Sequence, residues 1–228
     1  MRYSDFEEIM SAPRMNRYLQ ACGGDSRKAM TLYRLNLKLS QQLFTIISCF
    51  EIALRNRINN HYIETIDANW LADSVKPNGV FNNKECRRTK IIVSKGIKSV
   101  QHQFTQHKLI AEMDFGFWRY LFAKPQFNAC GKTLLKIFPG KPKSTPSIQY
   151  NQTFVFNELE KVNNIRNRIA HHEAICFRLG HPIIDTSYVS MHYSAILNLF
   201  NWMNINESEL LYGLNQVHSS IRKIDNLI

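Results

Sequence analysis

Apolar residues recur along most of the chain at intervals of three and four positions, the period of one face of an α-helix. The longest such pattern follows the "CGGDS" break at 22–26, where Asp25 or Ser26 is placed to cap a helix that runs to about Tyr62. The apolar stripe of this helix consists of Leu39, Leu43, Ile47, Phe50, Leu54 and Ile58. No run of alternating residues bounded by hairpin turns occurs in the sequence. The pattern predicts an all-α helical bundle with one long central helix.

Two loops interrupt the middle of the chain. "KPNGVFNN" at 76–83 is rich in turn-forming residues, and a basic helix is predicted after it, from Lys84 to about Gln103. "FPGKPKSTPS" at 138–147 is the clearest break, and it is compatible with a domain boundary. Neither flank alone carries enough amphipathic helices to close a core. We therefore predict one domain over 1–228, with a basic insertion at about 76–147.

The last third of the chain resumes the helical pattern. One predicted helix follows Ser147 and ends before "RLGHP" at 178–182. Its apolar stripe consists of Val155, Leu159, Val162 and Ile169. Two more helices are predicted at about 186–203 and 206–224, the second opening with a capping box of Asn206 and Glu209.

Composition narrows the class of protein. With 44% apolar residues in 228, the chain can form a core without covalent crosslinks. Its five cysteines have no CxxC spacing, which argues against a disulfide framework or a zinc knuckle and for a reducing compartment. The start "MRYSDFEEIM" is too acidic for a signal peptide, and the longest apolar stretch, at 43–50, is far shorter than a membrane span of about 20 residues. We expect a soluble, cytoplasmic protein that does not bind membranes.

The net charge of +11 is concentrated in the middle of the chain. Between Phe81 and Lys143, thirteen basic residues face three acidic ones, so this region supplies ten of the eleven net charges. A concentration of this kind is typical of a surface that binds a polyanion, because each neutralised phosphate releases counterions. The alternative is a solvated face of a basic protein. The candidate RNA-binding residues are Lys84, Arg87, Arg88, Lys132 and Lys136.

The segment "NNIRNRIAHHEAI" at 163–175 places polar residues inside an apolar helical pattern. On a helical wheel, Arg166 falls within the apolar stripe, and a guanidinium there needs a carboxylate, an anionic ligand or a water-filled cleft. Asn167 and His171 share a face, whereas Arg166 and His171 lie about 140° apart. They can converge if the arginine side chain swings round, if the helix loosens near Ala170, or if two protomers form one cleft.

These residue types suit metal-independent cleavage of RNA, in which the ribose 2′-OH is the nucleophile. His171 can move protons, Arg166 can bind the scissile phosphate, and Asn167 can orient either one. His172 is an equal candidate for the catalytic histidine. The structural alternative is a satisfied helical histidine, which the tandem arrangement beside "RNR" makes less favoured.

A metal site is the other chemical interpretation of the same segment. Glu173, His171, His172 and the distant His181 are all possible ligands. Consecutive residues on a helix point in different directions, so this grouping is disfavoured. We expect neither a metal ion nor a cofactor.

Three stretches give the chain a resemblance to a known family. They are "FEIALRNRI" at 50–58, "MDFGFWRYLF" at 113–122 and "IRNRIAHHEAI" at 165–175. With them the chain resembles the Abi-like family of bacterial abortive-infection proteins, whose fold belongs to the HEPN superfamily. The HEPN signature is an arginine, a polar residue, and a histidine after a gap of four to six; Arg166, Asn167 and His171 match it, and His172 fits equally well.

The resemblance implies a HEPN-type bundle that forms a homodimer, with the arginine and histidine pairs facing each other in a shared groove. It also implies metal-independent cleavage of RNA in phage defence, and in some relatives association with a small structured RNA. Glu51, Arg55 and Trp118 match family positions that shape the cleft or hold helices together. Glu51 and Arg55 also form an i, i+4 pair that can be simple helix support.

A second segment, "LRNRINNH" at 54–61, echoes the main motif. Arg55 and His61 satisfy the loose spacing, but they lie about 240° apart on an uninterrupted helix. This segment is therefore interpreted as secondary.

The leading hypothesis is a metal-independent endoribonuclease that leaves 2′,3′-cyclic phosphate ends on single-stranded RNA. The alternative is a non-catalytic HEPN module that binds a structured small RNA or a partner protein. A third possibility is a scaffold that only partners another toxin or a nucleotidyltransferase.

Overall fold

A computed structural model of the chain describes residues 1–227, of which about two thirds are helical. No β-strand occurs in this range, and the only β-type pairing there is an isolated antiparallel bridge between Phe177 and Ile184. The prediction of an all-α protein is confirmed.

Residues 1–227 form twelve α-helices, which we number in chain order. They are α1 Tyr3–Met10, α2 Ala12–Ala21, α3 Ser26–Thr65, α4 Trp70–Asp73, α5 Arg87–Ser99, α6 Gln106–Glu112, α7 Phe115–Tyr120, α8 Lys124–Ala129, α9 Gln152–Ala170, α10 Ser187–Trp202, α11 Glu207–Leu210 and α12 Val217–Asp225. Two short 3₁₀ helices lie at Gln101–Gln103 and Leu134–Ile137.

The helices belong to two compact units. The first unit contains residues 1–48, 164–197 and the described residues from 207 onward; the second contains residues 49–163 and 198–206. The helices α3, α9 and α10 each contribute residues to both units. The loop at 76–83 and the proline-rich segment at 138–147 both lie inside the second unit. The single domain with a basic insertion stays a prediction.

The long helix α3 begins as its sequence predicts. The carboxylate of Asp25 accepts hydrogen bonds from the amides of Arg27 at 2.9 Å and Lys28 at 3.0 Å, so Asp25 caps the helix. All six residues of the predicted apolar stripe are buried. The helix extends three residues beyond the predicted end, to Thr65.

By length and composition, α3 is also the one helix within residues 1–227 that is apolar enough to cross a membrane. Core helices of soluble proteins meet the same criterion. That the protein does not bind membranes stays a prediction.

Aromatic clusters fill the core of each unit. In the first unit, the Tyr18 ring packs on Tyr33 at 5.0 Å and on Phe177 at 4.9 Å between centroids. In the second, Phe50 packs on Phe200 at 5.2 Å and on Phe115 at 6.3 Å. Offset and edge-on pairs at these distances are favourable beyond the apolar area that they bury. All five cysteines are free thiols.

Two predicted helix bounds need correction. The basic helix starts at Arg87 rather than Lys84, because the Asn83 side chain accepts the amide hydrogen of Cys86 at 2.9 Å and holds a turn there. The helix that follows Ser147 starts only at Gln152.

The predicted helix over 206–224 is wrong. The chain instead forms α11 and α12, separated by a turn in which Gly213 has φ +74°. Glycine is the residue that adopts this left-handed conformation at little cost, so it ends a helix that the apolar pattern alone extends.

The buried stripe of α9 also differs from the prediction. Val155, Leu159 and Val162 are buried as expected, but the fourth buried residue is Ile165, and Ile169 is half-buried. The helix ends one residue later, which leaves Ile169 at the edge of the core.

Candidate functional site

The tandem histidines lie on the turn that ends α9, and not on the helix itself. The amide of His172 donates to the carbonyl of Ile169 at 3.0 Å, and the amide of Glu173 donates to the carbonyl of Arg168 at 2.9 Å. This pair of hydrogen bonds is a Schellman motif, which requires a left-handed residue, and His172 supplies it with φ +56°. The helix therefore ends at Ala170. A loosening of the helix near this residue is one of the ways predicted from the sequence for Arg166 and His171 to approach each other.

A left-handed conformation costs a non-glycine residue about 1–2 kcal/mol, although histidine adopts it more often than most. The Arg14 side chain, from α2, stabilises it. Its Nη1 donates to the carbonyl oxygen of His172 at 2.8 Å. The histidine turn is thus held by a residue far away in sequence.

Arg168 fixes the same turn from the other side. Its Nε donates to the Glu173 carboxylate at 3.1 Å, and its Nη2 donates to the carbonyl of Ala174 at 2.7 Å. Its guanidinium also stacks on the ring of Tyr188, 4.6 Å from the centroid. The side chain of Arg168 is only 12% exposed, whereas its partner Glu173 is 52% exposed, so the ion pair is open to water although the arginine is largely shielded.

The segment after the turn is anchored by two further polar side chains. The Asn36 oxygen accepts hydrogen bonds from both amides of 175–176, at 2.9 and 3.2 Å. The Arg17 Nη2 donates to the carbonyls of Arg178, at 3.1 Å, and His181, at 2.9 Å. The chain after the histidines is therefore anchored by side chains at four backbone positions, 175, 176, 178 and 181.

These elements surround an open pocket of about 560 Å³ in the first unit. Its lining includes the charged residues Arg14, Arg17, Arg168 and Glu173 and the two histidines, His171 and His172. Both histidines are exposed to solvent. With neutral imidazoles the pocket carries three positive charges and one negative charge, so it is complementary to an anion.

Arg166 and Asn167 do not line this pocket. Both are half-buried, and Arg166 Nε is buried without a hydrogen-bond partner in residues 1–227. Leaving such a donor unsatisfied costs about 1–3 kcal/mol. Asn167 contributes its backbone carbonyl to the amide of His171 at 2.9 Å. Of the four predicted catalytic residues, the pocket brings together the two histidines only.

Sequence reasoning did not single out Arg14, Arg17 or Arg168. Arg168 lies inside the motif and belongs to the "RNR" triplet, but its spacing to the histidines gives no sign that it would hold their turn. Arg14 and Arg17 belong to a short helix near the start of the chain, and a single sequence has no signal that links them to residues 168–174.

The two proposed cleft-supporting residues lie in the second unit, on α3. Glu51 is half-buried, and the Nε of Arg55 is buried without a hydrogen-bond partner among the described residues. Trp118, from the same set of matched positions, is fully buried and donates to the Met113 carbonyl at 3.2 Å. Trp118 is a core residue, and the roles of the other two stay predictions.

The candidate RNA-binding residues are all exposed and all belong to the second unit: Lys84, Arg87, Arg88, Lys132 and Lys136. Arg88 also lies 6.0 Å from the centroid of the Tyr120 ring. Exposure of this kind suits a polyanion-binding surface and a solvated basic face equally. Within the described part of the chain, no three His, Cys, Asp or Glu side chains group as metal ligands.

Comparison with known proteins gives one family match. The model of the family described as Abi-like protein matches residues 1–176, a range that includes α9, the histidine turn and both arginines of α2. No curated protein and no solved structure gives a significant match. Since the matched range covers well over half of the sequence, the chain belongs to the Abi-like protein family.

Proposed function

We infer from membership of the Abi-like family that the protein functions in abortive infection. We propose that the protein acts there as a metal-independent endoribonuclease with a HEPN-type site, and that it works as a cytoplasmic homodimer. The observation that carries the proposal is a pocket whose lining includes two exposed histidines and three arginines.

The two histidines supply what RNA cleavage needs for proton transfer. A neutral imidazole takes the proton from the ribose 2′-OH, which attacks the neighbouring phosphorus atom. A protonated imidazole gives a proton to the departing 5′-oxygen, and a 2′,3′-cyclic phosphate remains on the other fragment. Imidazole is the side chain suited to both roles near neutral pH. His171 and His172 line one pocket, so either can serve as base and the other as acid.

The arginines supply the positive charge that the phosphorane needs. Each guanidinium has five N–H donors. Arg14, Arg17 and Arg168 each donate to backbone carbonyls with only some of these N–H groups. The remaining N–H groups of Arg14 and Arg17 can bind phosphate oxygens, and a preorganised donor of this kind contributes about 10²–10³-fold in rate. The Nη1 of Arg168 is buried, so Arg168 contributes its positive charge. The same hydrogen bonds that order the turn thus hold the guanidinium groups in place.

We expect Arg166 to contribute to RNA binding only in the proposed dimer. It does not line the histidine pocket of its own chain, and its Nε lacks a hydrogen-bond partner within residues 1–227. A phosphodiester in a groove shared by two copies would instead be bound by the other N–H groups of this half-buried guanidinium. Light scattering of the purified protein tests the dimer, and the Arg166→Ala variant tests the contribution of the guanidinium to cleavage.

The decisive assay incubates the protein with end-labelled single-stranded RNA in EDTA. Cleavage with 2′,3′-cyclic phosphate ends supports the proposal, and the same oligonucleotide made of DNA should remain intact because it lacks the 2′-OH. His171→Ala and His172→Ala, alone and together, should lower cleavage, whereas the exposed His107→Ala in α6 should not. Unaltered cleavage by the double variant would refute the site.

A binding module without catalysis is the second candidate function. The observation that favours it is that Arg14, Arg17 and Arg168 all bind backbone carbonyls, as structural arginines do. This candidate expects RNA binding that weakens steeply with salt and gives no products. The double histidine variant would then bind RNA as tightly as the unmodified protein.

A further inference from the structure

A second polar pocket, of about 200 Å³, lies in the second unit. One wall is a single face of α3, formed by Arg57, Asn60, His61 and Glu64 at intervals of three and four residues. Lys136 lies opposite, in the short 3₁₀ helix at Leu134–Ile137. This is the "LRNRINNH" segment that the main site does not use.

The structure pairs His61 with a different arginine from the one that the motif selects. His61 and Arg55 point in different directions on the helix, but Arg57 and His61 are four residues apart and line the same pocket. In the segment at 54–61, the pair that lines a common pocket is therefore Arg57 and His61, at i and i+4.

The imidazole of His61 is held in a fixed position at the pocket wall. Its side chain is buried, and its Nε2 lies 2.9 Å from the Thr133 hydroxyl. Its Nδ1 has no hydrogen-bond partner among the described residues, so one ring nitrogen remains for a ligand. Burial and the ammonium of Lys136 lower the pKa of His61, while Glu64 acts in the opposite direction.

Two cations complete the pocket. Arg57 donates from Nη2 to the carbonyl of Met203 at 3.2 Å, which orients its guanidinium and leaves its other donors for a ligand. Lys136 is exposed and makes no ion pair within residues 1–227. The carboxylate of Glu64 is the one negative charge in the lining, so the pocket carries one net positive charge when His61 is neutral.

We infer that this pocket binds a phosphate group of an RNA strand. A guanidinium, an ammonium and an imidazole are the donors that recognise phosphate, and one net positive charge matches one phosphodiester. The pocket holds one histidine and one carboxylate, that of Glu64, and binding alone is assigned to it. The inference relies on the proposed RNA ligand but not on nuclease activity.

The test follows the ring signals of His61 by NMR in the full-length His171→Ala and His172→Ala double variant, which removes cleavage. Three probes are titrated: inorganic phosphate, adenosine 5′-monophosphate and a single-stranded RNA. RNA should shift the His61 signals saturably and raise the pKa of His61, because a bound anion favours the imidazolium. Unmoved signals with all three probes would overturn the inference.

Removal of a positive charge and removal of the negative charge from the pocket should change the affinity for RNA in opposite directions. Arg57→Gln and Lys136→Gln should each weaken RNA binding at this site about fivefold, whereas Glu64→Gln should tighten it about fivefold, since one charge pair near 4 Å contributes about 1 kcal/mol in water. Lys38→Gln, an exposed lysine of α3 outside both pockets and outside the basic region, is the matched control and should change binding little. Glu64→Gln keeps the test valid even if Arg57→Gln folds poorly, and a Glu64→Gln variant without tighter binding would contradict the inference.

The probes separate the sources of the phosphate. Inorganic phosphate that binds as tightly as RNA would replace the RNA assignment with a small-anion site. The histidine pocket is judged by RNA cleavage and this pocket by His61 signals, so each proposal can fail without the other.

Discussion

The guanidinium of Arg14 and the carbonyl oxygen of His172 form a hydrogen bond of 2.8 Å across 158 positions of sequence. It joins α2 to the one residue of the histidine turn that has a left-handed backbone. The geometry of the candidate site therefore depends on a helix near the start of the chain. The family match includes both partners.

Removal of the Arg14 side chain should lower both stability and activity. Arg14→Ala loses a charged hydrogen bond, which we expect to reduce the free energy of unfolding by about 1 kcal/mol, and cleavage should fall further because the turn is less ordered. Urea unfolding and the kcat/KM of RNA cleavage measure the two effects. Arg27→Ala, an exposed arginine of α3, is the matched control. Equal behaviour of the two variants would argue against a role of Arg14 at the turn.

The left-handed backbone of His172 makes a stabilising glycine substitution possible. His172→Gly relieves the strain, and we expect the free energy of unfolding to rise by up to about 1 kcal/mol after the entropy cost of glycine. His171→Gly should instead destabilise by about 0.5–1 kcal/mol, because the φ angle of His171 is not positive. Thermal and urea unfolding of the two variants measure the contrast.

The same pair of variants distinguishes the two histidines in catalysis. If His171 is the essential imidazole, His172→Gly keeps measurable cleavage while it gains stability. If the His172→Gly protein is more stable but inactive, His172 is the essential imidazole instead. Loss of stability in both variants would mean that the turn is not strained at His172.

Arg168 should matter more to stability than its partner Glu173. Arg168→Ala removes two hydrogen bonds and the stacking on Tyr188 from a shielded site, so we expect a loss of about 2–3 kcal/mol. Glu173→Gln should cost well under 1 kcal/mol, because the Glu173 side chain is 52% exposed and the ion pair is screened. Urea unfolding of both variants tests this order, and equal losses would contradict it.

Local features of the fold are predictable from the sequence because they depend on neighbouring residues. Asp25 caps α3 through amides two and three positions away, and the buried stripe from Leu39 to Ile58 follows directly from helical spacing. The Schellman turn escapes prediction because its left-handed position holds His172 where glycine is the usual signal. Gly213 is the converse case, since it breaks a helix that the apolar pattern continues.

The candidate site is less predictable, because contacts distant in sequence assemble it. The histidines are visible as a motif, but the arginines of α2 that line their pocket are not. The wheel placed Arg166 and His171 apart on a continuous helix, and the helix ends before His171. The end of the helix does not bring the two residues together, since Arg166 does not line the pocket of His171.

The pH dependence of stability should reveal the environment of His61. Burial, and then Lys136, lowers the pKa of His61 in the folded protein below the ordinary value of 6.5, so the unfolded chain binds this proton more readily. The stabilising effect of a neutral His61 is therefore fully present above about pH 6.5 and is lost as the pH falls toward the folded pKa. His61→Gln cannot take up this proton.

We expect the free energy of unfolding of the unmodified protein to fall more between about pH 7.5 and about pH 5.5 than that of His61→Gln. Urea unfolding at the two pH values measures the difference, in a buffer without phosphate so that the proposed anion pocket stays empty. Lys136→Gln should show an intermediate fall, because it removes the second cause of the lowered pKa and leaves burial in place. Identical pH profiles for the unmodified protein and His61→Gln would show that the imidazole is solvated in the folded state, and the fixed wall of the second pocket would lose its support.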